Sequence, residues 1–354
     1  MRKESLEFLK QLLTTPTPSG FEPAGQKVWC DYARRFADEV RTDAYGNAVA
    51  VLNPGGDPKV MFDGHIDELG LMINHIDAQG FLYPQRVGGV DPALIRGKRV
   101  NIHTAKGIVR GVIGATAIHL IDRTKDQKAP KMHECWIDIG AKDAADAKKK
   151  VHVGDVMTFV DDFEMINENV AAARAFDNRI GTWVAIEALR LARKNKLQCA
   201  IYACSSIQEE LGLFGAAMSV ENVKPDVAVA VDVTHATDSP GIDQKEHGEI
   251  KMGKGPSISI GRENHPVVVD RLRKAAKKKK INLQVQTFGL SGGTDALAIF
   301  TKRGGIPSAI IGVPNRYMHT TVEMIDLRDA QHAAELLAAF AAGIKKGERF
   351  AVKV

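Results

Sequence analysis

With 354 residues, the chain is longer than one hydrophobic core usually organises, so a large domain with a smaller companion is expected. Hydrophobic residues at 44% and charged residues at 26% are ordinary for a globular protein and exclude fibrous and disordered classes. The net charge of +5 is small for this length, and the lysine runs 148–150 and 277–280 have no aromatic residues among them, so no nucleic-acid partner is expected.

The first segment, MRKESLEFLKQLL, puts Leu6, Leu9, Leu12 and Leu13 on one helical face, and TPTPSG then breaks the chain. It lacks the unbroken apolar core of a signal peptide, and no window approaches the ~20 apolar residues of a membrane span. The four cysteines, Cys30, Cys135, Cys199 and Cys204, form no Cys-x-x-Cys pair and suit a reducing compartment. These features predict a cytoplasmic protein with no membrane partner.

A hairpin is predicted around Tyr45-Gly46-Asn47, followed by the apolar strand VMFDGHID at 60–67. From 68 to 165 the segments are short, β-rich and punctuated by glycine; LGLMINHI, KGIVRGVIGA and DVMTFV are examples. Only AKDAADAKKK reads as helix there, so an inserted all-β domain is predicted. Strands and helices then alternate: helix RIGTWVAIEALRLARKN, strand QCAIYACSSI, helix FGAAMSVENV, strand DVAVAVDV. A helix at 266–280, strand LQVQTF, helix TDALAIFTK, strand IPSAIIGV and a helix from Arg328 complete the series. Such alternation predicts an α/β fold: a mostly parallel sheet with helices on both faces. The catalytic unit is expected to be discontinuous, 1–67 joined to 166–354, around the insertion at 68–165.

Acidic and histidine residues gather where these strands end. His65 and Asp67 follow VMFDG, Asp177 lies in AFDNRIG before a helix, and Glu209 and Glu210 follow CSSIQ. Asp232 ends AVAVD, and His319 lies in NRYMHTTVE after a strand. Ligand crevices of open α/β sheets lie at the carboxyl ends of strands. Taken singly, each residue reads as a turn, cap or surface group. Together, carboxylates brought to one edge would repel each other unless positive charge sat between them. Imidazole with carboxylate is a ligand set for zinc, cobalt or manganese. If the backbone at Glu209 and Glu210 is extended, their side chains diverge.

The ordered motifs DGHIDELG, AFDNRIG, QEELGLFGA, DVTHATDSPG, SGGTDA and RYMHTTVEMID carry a likeness over nearly the whole chain. By them the chain resembles the tetrahedral (TET) aminopeptidases. This family of dinuclear metallopeptidases includes glutamyl and deblocking aminopeptidases and members labelled CelM-type endoglucanases. The resemblance implies a zinc-aminopeptidase-like fold and two divalent ions, Zn2+ or Co2+ with Mn2+ as an alternative. It implies one ion held by His65 and Glu210, the other by Asp232 and His319, with Asp177 bridging. Asp67 would fix the tautomer of His65, and Glu209 would act as general base on a water shared by the ions. It also implies that Ser291, Gly292, Gly293, Thr294 and Asp295 line the substrate pocket. Short peptides would lose their N-terminal residues one at a time. The insertion would be a β-barrel or PDZ-like dimerisation domain, and dimers would build a dodecamer. Two departures are Asn178, where some relatives carry Asp, and Leu297, where many carry a smaller residue.

Other readings stand beside this one. Gly-x-Ser-x-Gly at 289–293 fits the strand-to-helix turn of a serine hydrolase using Ser291. A glycosidase using Glu209 and Glu210 is disfavoured, because adjacent residues are poorly placed to flank one bond. A metal-stabilised scaffold would need the ligands but not Glu209. The basic excess leans toward acidic substrates, although a global charge describes no single pocket.

Overall fold

The strand Lys59–His65 shows how sequence builds the centre of this protein. Val60, Met61 and Phe62 are all buried, as a strand covered on both faces requires. Val60 and Phe62 enter one apolar cluster and Met61 enters another, on the opposite face. The computed structural model describes residues 1–122, 129–290 and 292–353.

Among the described residues, 11 strands form one sheet. Its central strands run in the order Ala200–Ser206, Lys59–His65, Val227–His235 and Ser308–Arg316, all paired in parallel. Antiparallel strands extend both flanks: Glu39–Thr42 and Ala48–Leu52 on one side, and Glu323–Asp326, Val170–Ala173 and Glu164–Met165 on the other. Ser257–Gly261 branches from Ser308–Arg316 and pairs in parallel with Gln284–Phe288.

Helices cover both faces. The helix Phe176–Ala192 lies on one face, and nearly all its side chains are buried because Leu327–Ala342 and Lys3–Thr14 pack over it. The smaller helices Phe214–Val223 and Asp295–Phe300 cover the other face. The close approach of the central helix to the sheet depends on paired glycines: a Cβ on Gly64 would lie 2.5 Å from the carbonyl carbon of Gly181.

Between the central strand and the return at Glu164, six strands among the described residues close a separate barrel. Its order is Gly70–Ile76, Leu82–Val87, Ile137–Asp138, Gly107–Ile113, Arg99–Thr104 and Val156–Phe159. Leu71, Val100, Ile102, Ile137 and Met157 fill its interior, forming a core separate from those of the large sheet. At the junction the buried Glu68 carboxylate is paired with both Arg174 and Arg179. No helix among the described residues is long and apolar enough to cross a membrane.

Candidate active site

The carboxyl ends of the central strands meet in a cavity of about 340 Å³. His65 is the last residue of its strand, and Asp232 lies on the adjacent strand Val227–His235. His319 follows Ser308–Arg316, with φ of 61°. Asp177 sits where the helix Phe176–Ala192 begins, on backbone that is not yet helical. Glu209 and Glu210 occupy a tight 3-10 turn after Ala200–Ser206, rather than the extended backbone considered from sequence. Gln208, in the left-handed region at φ 51°, makes that turn.

Asp177 is the centre of the arrangement. Its Oδ1 lies 3.3 Å from Nε2 of His65, and its Oδ2 lies 3.3 Å from Nε2 of His319. His65 Nε2 is also 3.9 Å from Asp232 Oδ1 and 3.6 Å from Glu209 Oε2. His319 Nε2 is 3.7 Å from Glu210 Oε2. Two groups able to hold a metal ion result: His65, Glu209 and Asp232, and Asp177, Glu210 and His319, with ligand atoms within 4.8 Å of one another in each.

The electrostatics of the site call for positive charge. Burial alone would raise the Asp177 carboxyl, but hydrogen bonds from His319 and His65 outweigh it and hold the group below the usual carboxylate range. Burial would lower His65, yet the charge of Glu209 and bonds to Asp177 and Asp67 raise it well above its ordinary value. Burial pushes Glu209 up to about 7; His65 pulls it down while Asp177 and Asp67 add to the rise. Glu210 and Asp232 are raised well above the usual carboxylate range, by burial first; the charge of Asp177 adds to the rise and His65 opposes it. One oxygen of Glu210 is buried with no hydrogen-bond partner among the described residues. Such a set of crowded carboxylates with imidazoles fits divalent cations of hard or borderline character.

Surrounding groups hold these side chains in place. Asp67 accepts the backbone N–H groups of Glu209 at 3.0 Å and Glu210 at 3.2 Å, and the Ser19 hydroxyl at 2.6 Å. Its Oδ1 also lies 3.4 Å from Nδ1 of His65. Glu323 accepts the N–H groups of Asp177 at 2.9 Å and His319 at 3.3 Å. Burial, then the charge of Asp177, pushes Glu323 up to about 8. Sequence reasoning missed Glu323, although an acid four residues after His319 in HTTVE was a usable signal. Glu22 was missed as well; it accepts the N–H of Gly20 at 2.6 Å and of Gln208 at 3.3 Å.

The profile of the M42 glutamyl aminopeptidase family matches residues 46–336. The chain belongs to this family. It is a peptide-bond hydrolase of the aminopeptidase type. This M42 chain is 33% identical over 344 residues to a lysyl aminopeptidase of Pyrococcus furiosus, covering 96% of this chain and 97% of that one. It superposes on a TET aminopeptidase from a marine sediment Thaumarchaeota archaeon with a TM-score of 0.91 and 32% identity, covering 97% of each chain. The TET1 peptidase of Pyrococcus horikoshii, described as assembling into a tetrahedron or a large octahedral shell, gives a TM-score of 0.85 at 31% identity, covering 96% of this chain and 100% of that one.

Several residues of the M42 chain lie differently from expectation. The distances group His65 with Asp232 and His319 with Glu210, not His65 with Glu210. Adjacent parallel strands cause the first grouping. Gly292, Gly293 and Thr294 line the cavity, but Asp295 does not. It opens the helix Asp295–Phe300 and is buried, 2% exposed. Ser291, and with it the serine-hydrolase reading, lies outside the described residues. The Asn178 side chain is spent on backbone: its amide donates to the Val231 carbonyl and its oxygen accepts the Gly181 N–H. Leu297 is not among the residues that line the cavity.

Proposed function

We propose that this aminopeptidase works with two divalent metal ions and removes N-terminal residues from short peptides. The observation that carries the reading is Asp177, whose two carboxylate oxygens each face a different imidazole at 3.3 Å. In this reading Asp177 is shared, His65 and Asp232 complete one ion's ligands, and Glu210 and His319 complete the other's. Zn2+ or Co2+ suits this donor set, with Mn2+ as an alternative. When bound, such ions polarise the scissile carbonyl and lower the pKa of nearby water.

The chain's own residues supply the proton chemistry. Glu209 is the general base: it takes a proton from the attacking water and passes it to the leaving amine. A carboxyl pushed up to about 7 is matched to both halves of that task near neutral pH. Asp67 acts as a positioning residue, because it holds the turn that carries Glu209 and Glu210. Glu323 does the same for Asp177 and His319.

Self-association is part of the proposal, as dimers through the barrel and then as a dodecameric shell. Exposed apolar side chains on the barrel's Gly107–Ile113 strand, Ile108 and Val112, support it. Light scattering that gives a stable monomer would refute this assembly.

The catalytic proposal is tested with a panel of aminoacyl reporters on homogeneous protein loaded with zinc, cobalt or manganese. Glu209→Gln should retain metal and fold while turnover falls by roughly 10²–10⁴-fold. A Glu209→Gln variant as active as the wild type would sink the assignment.

A further inference from the structure

The cavity continues beyond the ligand cluster onto one face of the sheet, where neighbouring strands contribute polar but uncharged side chains. Thr234 comes from Val227–His235, Ser259 from Ser257–Gly261 and Gln286 from Gln284–Phe288. Ser259 and Gln286 stand opposite each other in the strand register. The Thr234 hydroxyl donates to the Gln286 side-chain oxygen at 2.5 Å, which turns that carboxamide's NH2 end into a donor for something else. This bridge links strands separated in the sheet by Ser308–Arg316 and Ser257–Gly261, and Gly312 leaves room for it: a Cβ there would lie 2.9 Å from Cβ of Thr234. Ser259 is fully buried, and its hydroxyl has no hydrogen-bond partner among the described residues. Phe288 and Ile310 make apolar walls.

Fixed charge is missing from this end; His235, which lines the cavity beside Thr234, is an imidazole that burial holds below its ordinary value. Among the described lining residues there is no lysine or arginine, and every carboxylate belongs to the ligand cluster. Glu263 is not a lining residue; it is buried, and one of its oxygens accepts the Gly292 N–H at 3.1 Å. A charged side chain placed here would give up its hydration without gaining an opposite charge. A neutral side chain with an apolar stem and an acceptor at its tip would keep contact with the walls and satisfy donors that otherwise remain unpaired.

We infer that Ser259, Gln286 and Thr234 form the pocket for the substrate's first side chain, and that it selects uncharged residues, glutamine and methionine above glutamate and lysine. This rests on the aminopeptidase reading above and reverses the lean toward acidic substrates drawn from net charge. Glutamine against glutamate is the sharpest comparison, because the two differ in charge and hardly in shape.

The test measures kcat/KM of the metal-loaded enzyme on Gln-, Met-, Glu- and Lys-reporters. Gln and Met should exceed Glu and Lys by about tenfold or more. Gln286→Lys, which places an ammonium among the same walls, should raise the Glu-to-Gln ratio by about tenfold. Equal or faster turnover of Glu or Lys by the wild type overturns the inference, as does a Glu-to-Gln ratio that Gln286→Lys leaves unchanged. Absence of turnover on every reporter overturns the aminopeptidase reading itself, and this inference with it; a panel that turns over in the wrong order overturns the inference alone.

Discussion

The Asp67 carboxylate accepts the backbone N–H of Glu209 at 3.0 Å, so a residue just past the end of one strand holds the turn that follows another. The same carboxylate lies against the His65 ring and accepts the Glu210 N–H. Asp67→Asn keeps the shape but removes an acceptor from this junction. It should lower kcat/KM or metal affinity by about 10–100-fold with little effect on folding. Steady-state kinetics with a metal titration checks this, and wild-type values in both would contradict it.

Metal removal should cost stability as well as activity. Without cations the carboxylates Asp177 and Asp232, buried, and Glu209 and Glu210, half-buried, crowd one another, and an ion that binds only the folded state stabilises it by mass action. Chelation should abolish turnover and lower Tm, with about 3 kcal/mol recovered when zinc or cobalt is restored at a hundredfold excess over Kd. The core clusters are built without the ligands, so the chelated protein should stay folded at room temperature. A thermal melt with and without chelator decides, and identical melting curves would count against a resident metal.

Gly64→Ala should loosen the contact that sets the depth of Asp177. The new methyl would lie 2.5 Å from the Gly181 carbonyl carbon and 2.6 Å from the Thr182 nitrogen, both backbone atoms of the helix that carries Asp177. Overpacking of this kind costs roughly 1–3 kcal/mol. Urea denaturation should show that loss. Activity should also fall under conditions where the variant is fully folded, because His65 follows directly on Gly64. A variant with wild-type stability would show that the sheet and helix separate without cost.

Glu22 predicts a pH dependence. Burial, opposed by the Gly20 N–H and reinforced by the charge of Asp67, pushes its carboxyl up from 4.5 to about 7. The folded state therefore binds this proton more tightly than the unfolded state. The resulting stability is fully present below about pH 4.5 and is lost as pH rises through about 7. Glu22→Gln keeps an acceptor for Gly20 and Gln208 and cannot ionise. Its unfolding free energy should gain on the wild type between pH 5 and pH 8 by up to about 3 kcal/mol. A constant difference across that range would rule out the shift.

Much of this protein was legible locally. The run Val60–Phe62 announced a strand buried on both faces, and the leucines of the first helix announced its inner face, because period and burial are recorded residue by residue. The positions of His65, Asp177, Glu209, Glu210, Asp232 and His319 near element ends followed from the same patterns. Asp295, which the resemblance puts at the pocket, opens a helix and is buried; a strand-to-helix turn in sequence does not reveal which side chain turns inward.

Which of these side chains stand together was decided only by the tertiary structure. Lys59–His65 pairs in parallel with Val227–His235, and continuing the register Asp63↔Ala230 by two residues brings His65 level with Asp232. Chain order holds no such neighbour relation, because strand order depends on which apolar faces bury one another across more than a hundred residues. The same is true of the uncharged floor at Thr234, Ser259 and Gln286: each is an ordinary strand residue in sequence, and only the packed sheet makes them one surface.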